Sequence, residues 1–146
     1  MTTNDNSSLL NQQRTSLSDL LAAHEETPWS EDVIVNDRNR VRVIYNQPGE
    51  SVFDLNNPDN DEFWIVLFGQ ISWRIGDEGV MNARPGDIVF VPAGTKYSIR
   101  TTGRDPSVRV SINAPDAPEP PKAESAPINP NPERIPGDPR YPGTQA

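Results

Sequence analysis

From Trp29 to Asn113 the chain is cut into short apolar runs by turn-forming residues, and this punctuation constrains the fold more than any other feature. The breakers are Gln47-Pro48-Gly49, the Asx-rich run from Asn56 to Asp61, Gly69, the run from Gly76 to Gly79, the run from Arg84 to Asp87, the run from Pro92 to Thr95 and the run from Thr102 to Pro106. Each supplies Gly for a positive φ, Pro for a fixed φ, or Asn and Asp side chains that close their own turns. The runs between them predict strands at Asp32–Val35, Arg40–Asn46, Ser51–Leu55, Glu62–Phe68, Gln70–Ile75, Val80–Ala83, Ile88–Val91, Tyr97–Thr101 and Val108–Ile112. Strands of this length at this spacing, with no helical period between them, predict an all-β sandwich or barrel.

The flanks differ. Residues 1–28 are mostly polar, with one short helix predicted over Ser16–Glu25. Ser16 or Ser18 can cap it, Leu17, Leu20 and Leu21 share a face, and Pro28 stops it. His24 reads as a surface residue at the helix end. Residues 114–146 hold ten of the 16 Pro and few large apolar side chains besides Ile128, Ile135 and Tyr141. Proline removes backbone donors and fixes φ, so neither helix nor sheet is expected to propagate there. This segment reads as an extended tail, either flexible or an arm packed on its own barrel or on a neighbouring subunit. The overall apolar fraction of 34% lies below the ~45–50% of ordinary domains because this tail dilutes the barrel.

Composition excludes several functions. The net charge of −8 leaves no basic patch to displace counterions from nucleic acid, and it disfavours anionic membranes. The apolar run Phe63–Phe68 is too short to span a bilayer, and the polar start carries no secretory signal pattern. A cytoplasmic protein is the expectation. With no Cys and a single His, thiolate catalysis and multi-imidazole sites are unavailable.

Two spacings then stand out. Gly49, Leu55, Asn57, Glu62 and Gly69 follow G-x5-(x)-x-(x)-x4-E-x6-G, and Gly86, Pro92, Gly94, Tyr97 and Thr101 follow G-x5-P-x-G-x2-(x)-x3-(x). In this frame, from about Val41 to Ile112, the chain resembles the cupin superfamily in its single-domain form. The resemblance implies a double-stranded β-helix, or jelly-roll barrel, here carrying a short N-terminal helix and a Pro-rich tail. In metal-binding members two His, a Glu and a third His hold the metal. The corresponding positions here are Leu55, Asn57, Glu62 and Tyr97, and the closing Asn is Thr101. First-row transition metals want imidazole or thiolate donors. No metal and no cofactor is therefore expected.

Strand alternation places the lining. If Glu62 faces inward, so do Trp64, Val66 and Phe68; Leu55 and Asn57 bring Phe53, and Tyr97 brings Ile99 and Thr101. Ile71, Trp73 and Ile75 form the apolar set of the next strand. The expected site has Glu62 and Tyr97 as acid–base residues. Phe53, Leu55, Asn57, Trp64, Ile99, Thr101 and Arg42 are its ligand-binding lining. Burial disfavours a charged carboxylate, which suits Glu62 to proton transfer near neutral pH, with Tyr97 able to donate to a developing oxyanion. Alternatively Glu62 is merely satisfied by Asn57, Tyr97 or an arginine among Arg40, Arg42 and Arg109. The leading function is metal-independent binding of a small aromatic or carbonyl-bearing molecule, with isomerase, lyase or cyclase chemistry open. A metal-dependent oxygenase or lyase with unusual oxygen ligands, and a non-catalytic assembly protein, are the alternatives. A homodimer is expected, since a small jelly roll exposes sheet edges and the resemblance implies pairing.

Overall fold

The computed structural model describes residues 9–115 and 124–125. One helix, α1 (Leu17–Ala23), precedes β1 (Trp29–Val35), β2 (Arg40–Asn46), β3 (Glu50–Leu55), β4 (Glu62–Phe68) and β5 (Gln70–Ile75). After these come β6 (Val80–Ala83), β7 (Ile88–Val91), β8 (Tyr97–Thr102), β9 (Ser107–Asn113) and the two-residue β10 (Glu124–Ser125). They form two antiparallel five-stranded sheets, β1-β2-β9-β4-β7 and β10-β3-β8-β5-β6. The all-β architecture expected from the punctuation, and the jelly roll implied by the resemblance, are what the structure shows.

The sheets face each other across a core of Trp64, Val66, Val89 and Val91 from the first and Ile71, Trp73, Ala83, Tyr97 and Ile99 from the second. Burying each tryptophan contributes at most roughly 5 kcal/mol of transfer free energy. A second cluster lies on the outer face of the first sheet. There Leu17 and Leu20 of α1, with Leu9, pack on Trp29, Val33, Val43, Tyr45 and Val108. Ser16 caps α1 by accepting from Asp19 N at 3.2 Å.

This helix packs over the β1, β2 and β9 part of that outer face. Across β4 and β7 it leaves Phe63, Leu67, Phe68, Ile88 and Phe90 exposed, between 37% and 70% each.

Several expectations are corrected. The first strand begins at Trp29, three residues early, because Trp29 pairs with Tyr45 and packs beneath the helix. The helix ends at Ala23, and His24 already has extended backbone. His24 is not a free surface residue: its ring stacks on Trp29 at 4.2 Å, and Nε2 meets Glu31 Oε1 at 2.6 Å. Phe68 does not face inward, because a register shift between Val66 and Phe68 breaks the alternation. Sheet does form in the Pro-rich segment, where Glu124 and Ser125 pair with Ser51 and Glu50. Ile128, Ile135 and Tyr141 lie outside the described residues.

Gly69 makes the β4–β5 turn at φ +78°, and a Cβ there would stand 2.3 Å from Pro106 O. Only glycine satisfies both conditions.

Candidate functional site

Glu62 opens β4 in one sheet, and Tyr97 opens β8 in the other. Both are buried, and the Tyr97 hydroxyl donates to Glu62 Oε1 across the barrel. The Trp64 ring meets Tyr97 edge-on at 5.1 Å and lies 5.6 Å from Trp73. Leu55 and Ile99 pack in the same cluster. On β9, Asn113 adjoins the other carboxylate oxygen. With its amide oxygen accepting from Ser111 Oγ at 3.1 Å, its nitrogen donates to Glu62 Oε2 at 3.3 Å. Burial, then the Glu62 hydrogen bond and charge, hold the Tyr97 phenol far above its ordinary range, against an opposing pull from Arg109. The phenol therefore stays protonated and serves as the donor, with Glu62 as the acceptor.

Deeper in the barrel, Arg109 on β9 is 4% exposed, and its Nη1 donates to Asn46 Oδ1 at 2.7 Å. Asn46 Nδ2 donates to Glu50 Oε1 at 3.1 Å, and Gln47 N donates to the same oxygen at 2.6 Å. Burial lowers the Arg109 pKa to about 10, with Tyr97 and Glu50 pulling upward, so the guanidinium remains cationic at neutral pH. Beside this group, Thr101 Oγ1 and Ser107 Oγ bond at 2.7 Å. Three buried donors, Arg109 Nε, Trp73 Nε1 and Asn57 Nδ2, have no hydrogen-bond partner. Each such group costs about 1–3 kcal/mol unless something reaches it.

The structure gathers only part of the lining read from the sequence. Glu62, Tyr97, Trp64, Ile99 and Leu55 come together. Phe53 does not line the core: Asp54 sits at φ 54°, and a bulge between Val52 and Leu55 puts Val52 opposite Ile99 and Leu55 opposite Tyr97. Phe53 is only half-buried. Asn57 Oδ1 closes its own turn, accepting from Asp59 N at 3.2 Å and Asn60 N at 3.1 Å, and does not bond to Glu62. Thr101 pairs with Ser107. Arg42 Nε and Arg40 Nη2 each reach Asp32 at 2.9 Å. Partial burial pushes the Asp32 carboxyl upward, but the hydrogen bonds and charges of the two arginines hold it below its usual value. Among the described residues Glu62 takes its hydrogen bonds from Tyr97 and Asn113, not from an arginine. Asn113, Asn46 and Glu50 were not legible as site residues. Asn113 lies one residue beyond the expected strand end, and the other two flank the Pro48-Gly49 turn.

The comparisons with known proteins fit this geometry. Residues 42–113 match the family model of the cupin domain. The chain belongs to the cupin superfamily. A double-stranded β-helix protein from Klebsiella pneumoniae superposes at TM-score 0.64 with 20% identity, covering 86% of this chain and 98% of that one. The protein TT1209 from Thermus thermophilus does so at TM-score 0.62 with 22% identity, covering 71% and 98%. Among curated proteins, mannose-1-phosphate guanylyltransferase 2 of Escherichia coli O157:H7 is 27% identical over 98 residues, 64% of this chain. This cupin spans only 20% of that relative's length.

Leu55, Asn57, Glu62 and Tyr97, where the motif resemblance implies metal ligands, do not fit a transition metal. Leu55 has no donor atom. Asn57 Oδ1 is committed to its turn, and the Tyr97 phenol stays protonated and donates its hydrogen bond to Glu62. One carboxylate remains, itself already hydrogen-bonded, where nitrogen or sulfur donors are wanted. Among the described residues no group of three or more His, Cys, Asp or Glu side chains could hold a metal ion. Nor is any described helix long and apolar enough to cross a membrane.

Proposed function

We propose that this cupin binds a small organic molecule inside the barrel without a metal, and that Glu62 moves a proton on it. The observation that carries this reading is the hydrogen bond from Tyr97 to Glu62, made across the barrel between two buried side chains and walled by Trp64 and Trp73. A carboxylate has about four lone-pair directions, so Glu62 can accept from Tyr97 and Asn113 and still take a proton from carbon. When it does, the Tyr97 hydroxyl and the Asn113 amide hold the carboxyl group in place, which is the work of positioned acid–base groups. Aromatic walls with a few convergent polar groups are the usual make-up of a small-molecule site. The chemistry is of the isomerase, lyase or cyclase type.

The test is extraction and mass spectrometry of what co-purifies with the full chain, followed by incubation of that compound in D2O. Deuterium uptake with the wild type, lost in Glu62→Gln, is expected. Absence of any bound compound, or equal uptake by both proteins, would overturn the reading.

A second reading, an assembly role, is favoured by the bare apolar face over β4 and β7. Its five exposed side chains present roughly 500 Å² on the basis of ~200 Å² per large side chain. A second copy packed through the same face would bury about 1,000 Å² in total, the lower bound for a specific interface. The edge strand β7, and a face that α1 does not cover, support a homodimer contact in this reading.

A further inference from the structure

The interior of the barrel has an unmet hydrogen-bonding need, and it is of one kind. Arg109 Nε, Trp73 Nε1 and Asn57 Nδ2 are all N–H donors. The orphaned oxygen Glu31 Oε2 belongs to the outer face, opposite Val43 and under α1. Arg74 Nη1 falls between the inward residues Trp73 and Ile75 and so belongs to the other face of its sheet. What the interior lacks is therefore an acceptor.

Position says where. Arg109 neighbours Val66 across the β9–β4 ladder, and Trp73 neighbours Ile99 across the facing β5–β8 ladder. Tyr97 links Arg109 to the acid–base pair, since it bonds to Glu62 and lies within electrostatic reach of Arg109, and Trp64 lies between Tyr97 and Trp73, 5.1 Å from the one ring and 5.6 Å from the other.

Charge says what. The buried charged side chains around the barrel centre are Glu50, Glu62 and Arg109, two carboxylates against one guanidinium, while the partly buried Arg40 and Arg42 on the same face hydrogen-bond to Asp32 toward β1. A further anion would meet like charge in a low-dielectric interior, whereas a neutral carbonyl oxygen takes the same donors without that repulsion.

We propose that Arg109 is the carbonyl-binding residue of the barrel, its Nε–H receiving the oxygen of a neutral ketone, aldehyde or ester, with Trp73 Nε1–H as the second donor. The proposal rests on the ligand-binding reading above and names its substrate class. A carbonyl held this way has acidified hydrogens on its α-carbon. Glu62 takes one of them: the C–H bond breaks, its electrons form the C=C bond of an enolate, and the carbonyl π electrons move onto the oxygen facing Arg109. Return of the proton to the same carbon restores the ligand; in a ligand whose carbonyl is conjugated to a C=C bond, return to the γ-carbon isomerises it. No oxidant or reductant is needed.

The probe is cyclohexanone with the full chain, followed by infrared difference spectroscopy of its C=O stretch and by NMR of α-hydrogen exchange in D2O. Saturable binding with the stretch moved to lower wavenumber is expected, and cyclohexanecarboxylate should compete at least tenfold more weakly. Arg109→Lys should weaken binding at least tenfold and return the stretch to its free position. Should that variant fail to fold, Trp73→Phe, which keeps the ring and drops the donor, should weaken binding several-fold and reduce the shift. Glu62→Gln should keep the shifted stretch and lose the exchange. An unshifted stretch, indifference to both donor substitutions, or preference for the carboxylate overturns the role of Arg109 while leaving the ligand-binding reading intact. No binding of either probe overturns the substrate class, and the ligand-binding reading then falls only if nothing co-purifies.

Discussion

Replacing Tyr97 with phenylalanine isolates the cross-barrel hydrogen bond, because the ring and its contact with Trp64 remain and only the donor goes. A hydrogen bond to a charged acceptor is worth about 1.5–3 kcal/mol, and here its loss leaves Glu62 with Asn113 alone. About 2 kcal/mol of lost stability at pH 7 corresponds to a Tm lower by roughly 6–8 °C for a chain of this size. The pH dependence adds a sharper signature. The folded pKa of Tyr97 is raised, so the proton is held in the folded state after an unfolded tyrosine has released it. Stability from this group is complete below about pH 10 and falls by about 1.4 kcal/mol per pH unit above it. The phenylalanine variant lacks that loss. The gap between the two proteins should therefore be constant from pH 7 to 9 and shrink by about 1 kcal/mol between pH 10 and 11. Taking the difference cancels the groups common to both chains that do not interact with Tyr97; Arg109 does interact with it. Urea unfolding followed by circular dichroism at each pH measures it. A gap below about 0.5 kcal/mol at pH 7, or one that stays constant through pH 11, would refute the reasoning.

Further outcomes are expected elsewhere. Gly69→Ala should cost about 2 kcal/mol or more, read as a lower urea midpoint, because the turn needs a positive φ and has no room beside Pro106 O. His24→Ala should lose about 1–2 kcal/mol in the same assay, since it removes both the ring stacked on Trp29 and the partner of buried Glu31. Sedimentation velocity should find the wild type dimeric and Phe90→Glu monomeric with an unchanged circular dichroism spectrum. A monomeric wild type would contradict the assignment of the β4–β7 face.

Most of the barrel was readable because its signals are local. Pro-Gly and Asx turns stop strands wherever they stand, and all nine expected strands occur with ends displaced by no more than three residues. The two-residue β10 escaped notice because pairing with β3 overrides the poor intrinsic preference of a Pro-rich stretch. The side-chain directions were readable only while the two-residue period held. It failed at Asp54 and before Phe68, where bulges re-aim the chain, so Phe53 and Phe68 were misplaced and Val52 overlooked. The Glu62–Tyr97 pair was accessible because motif spacing fixed both positions. Asn46 and Glu50 meet across a local turn, but Arg109 joins them only once β9 has been inserted between β2 and β4. That pairing is set by long-range register, which no local pattern encodes.

The central claim is a barrel that takes an organic ligand and not a metal. Native mass spectrometry of the full chain, purified without chelator, tests it most directly. The account predicts a bound mass matching a small organic compound that is released on denaturation, with iron, manganese, nickel and zinc far below one equivalent. A stoichiometric transition metal bound to the folded chain would contradict it.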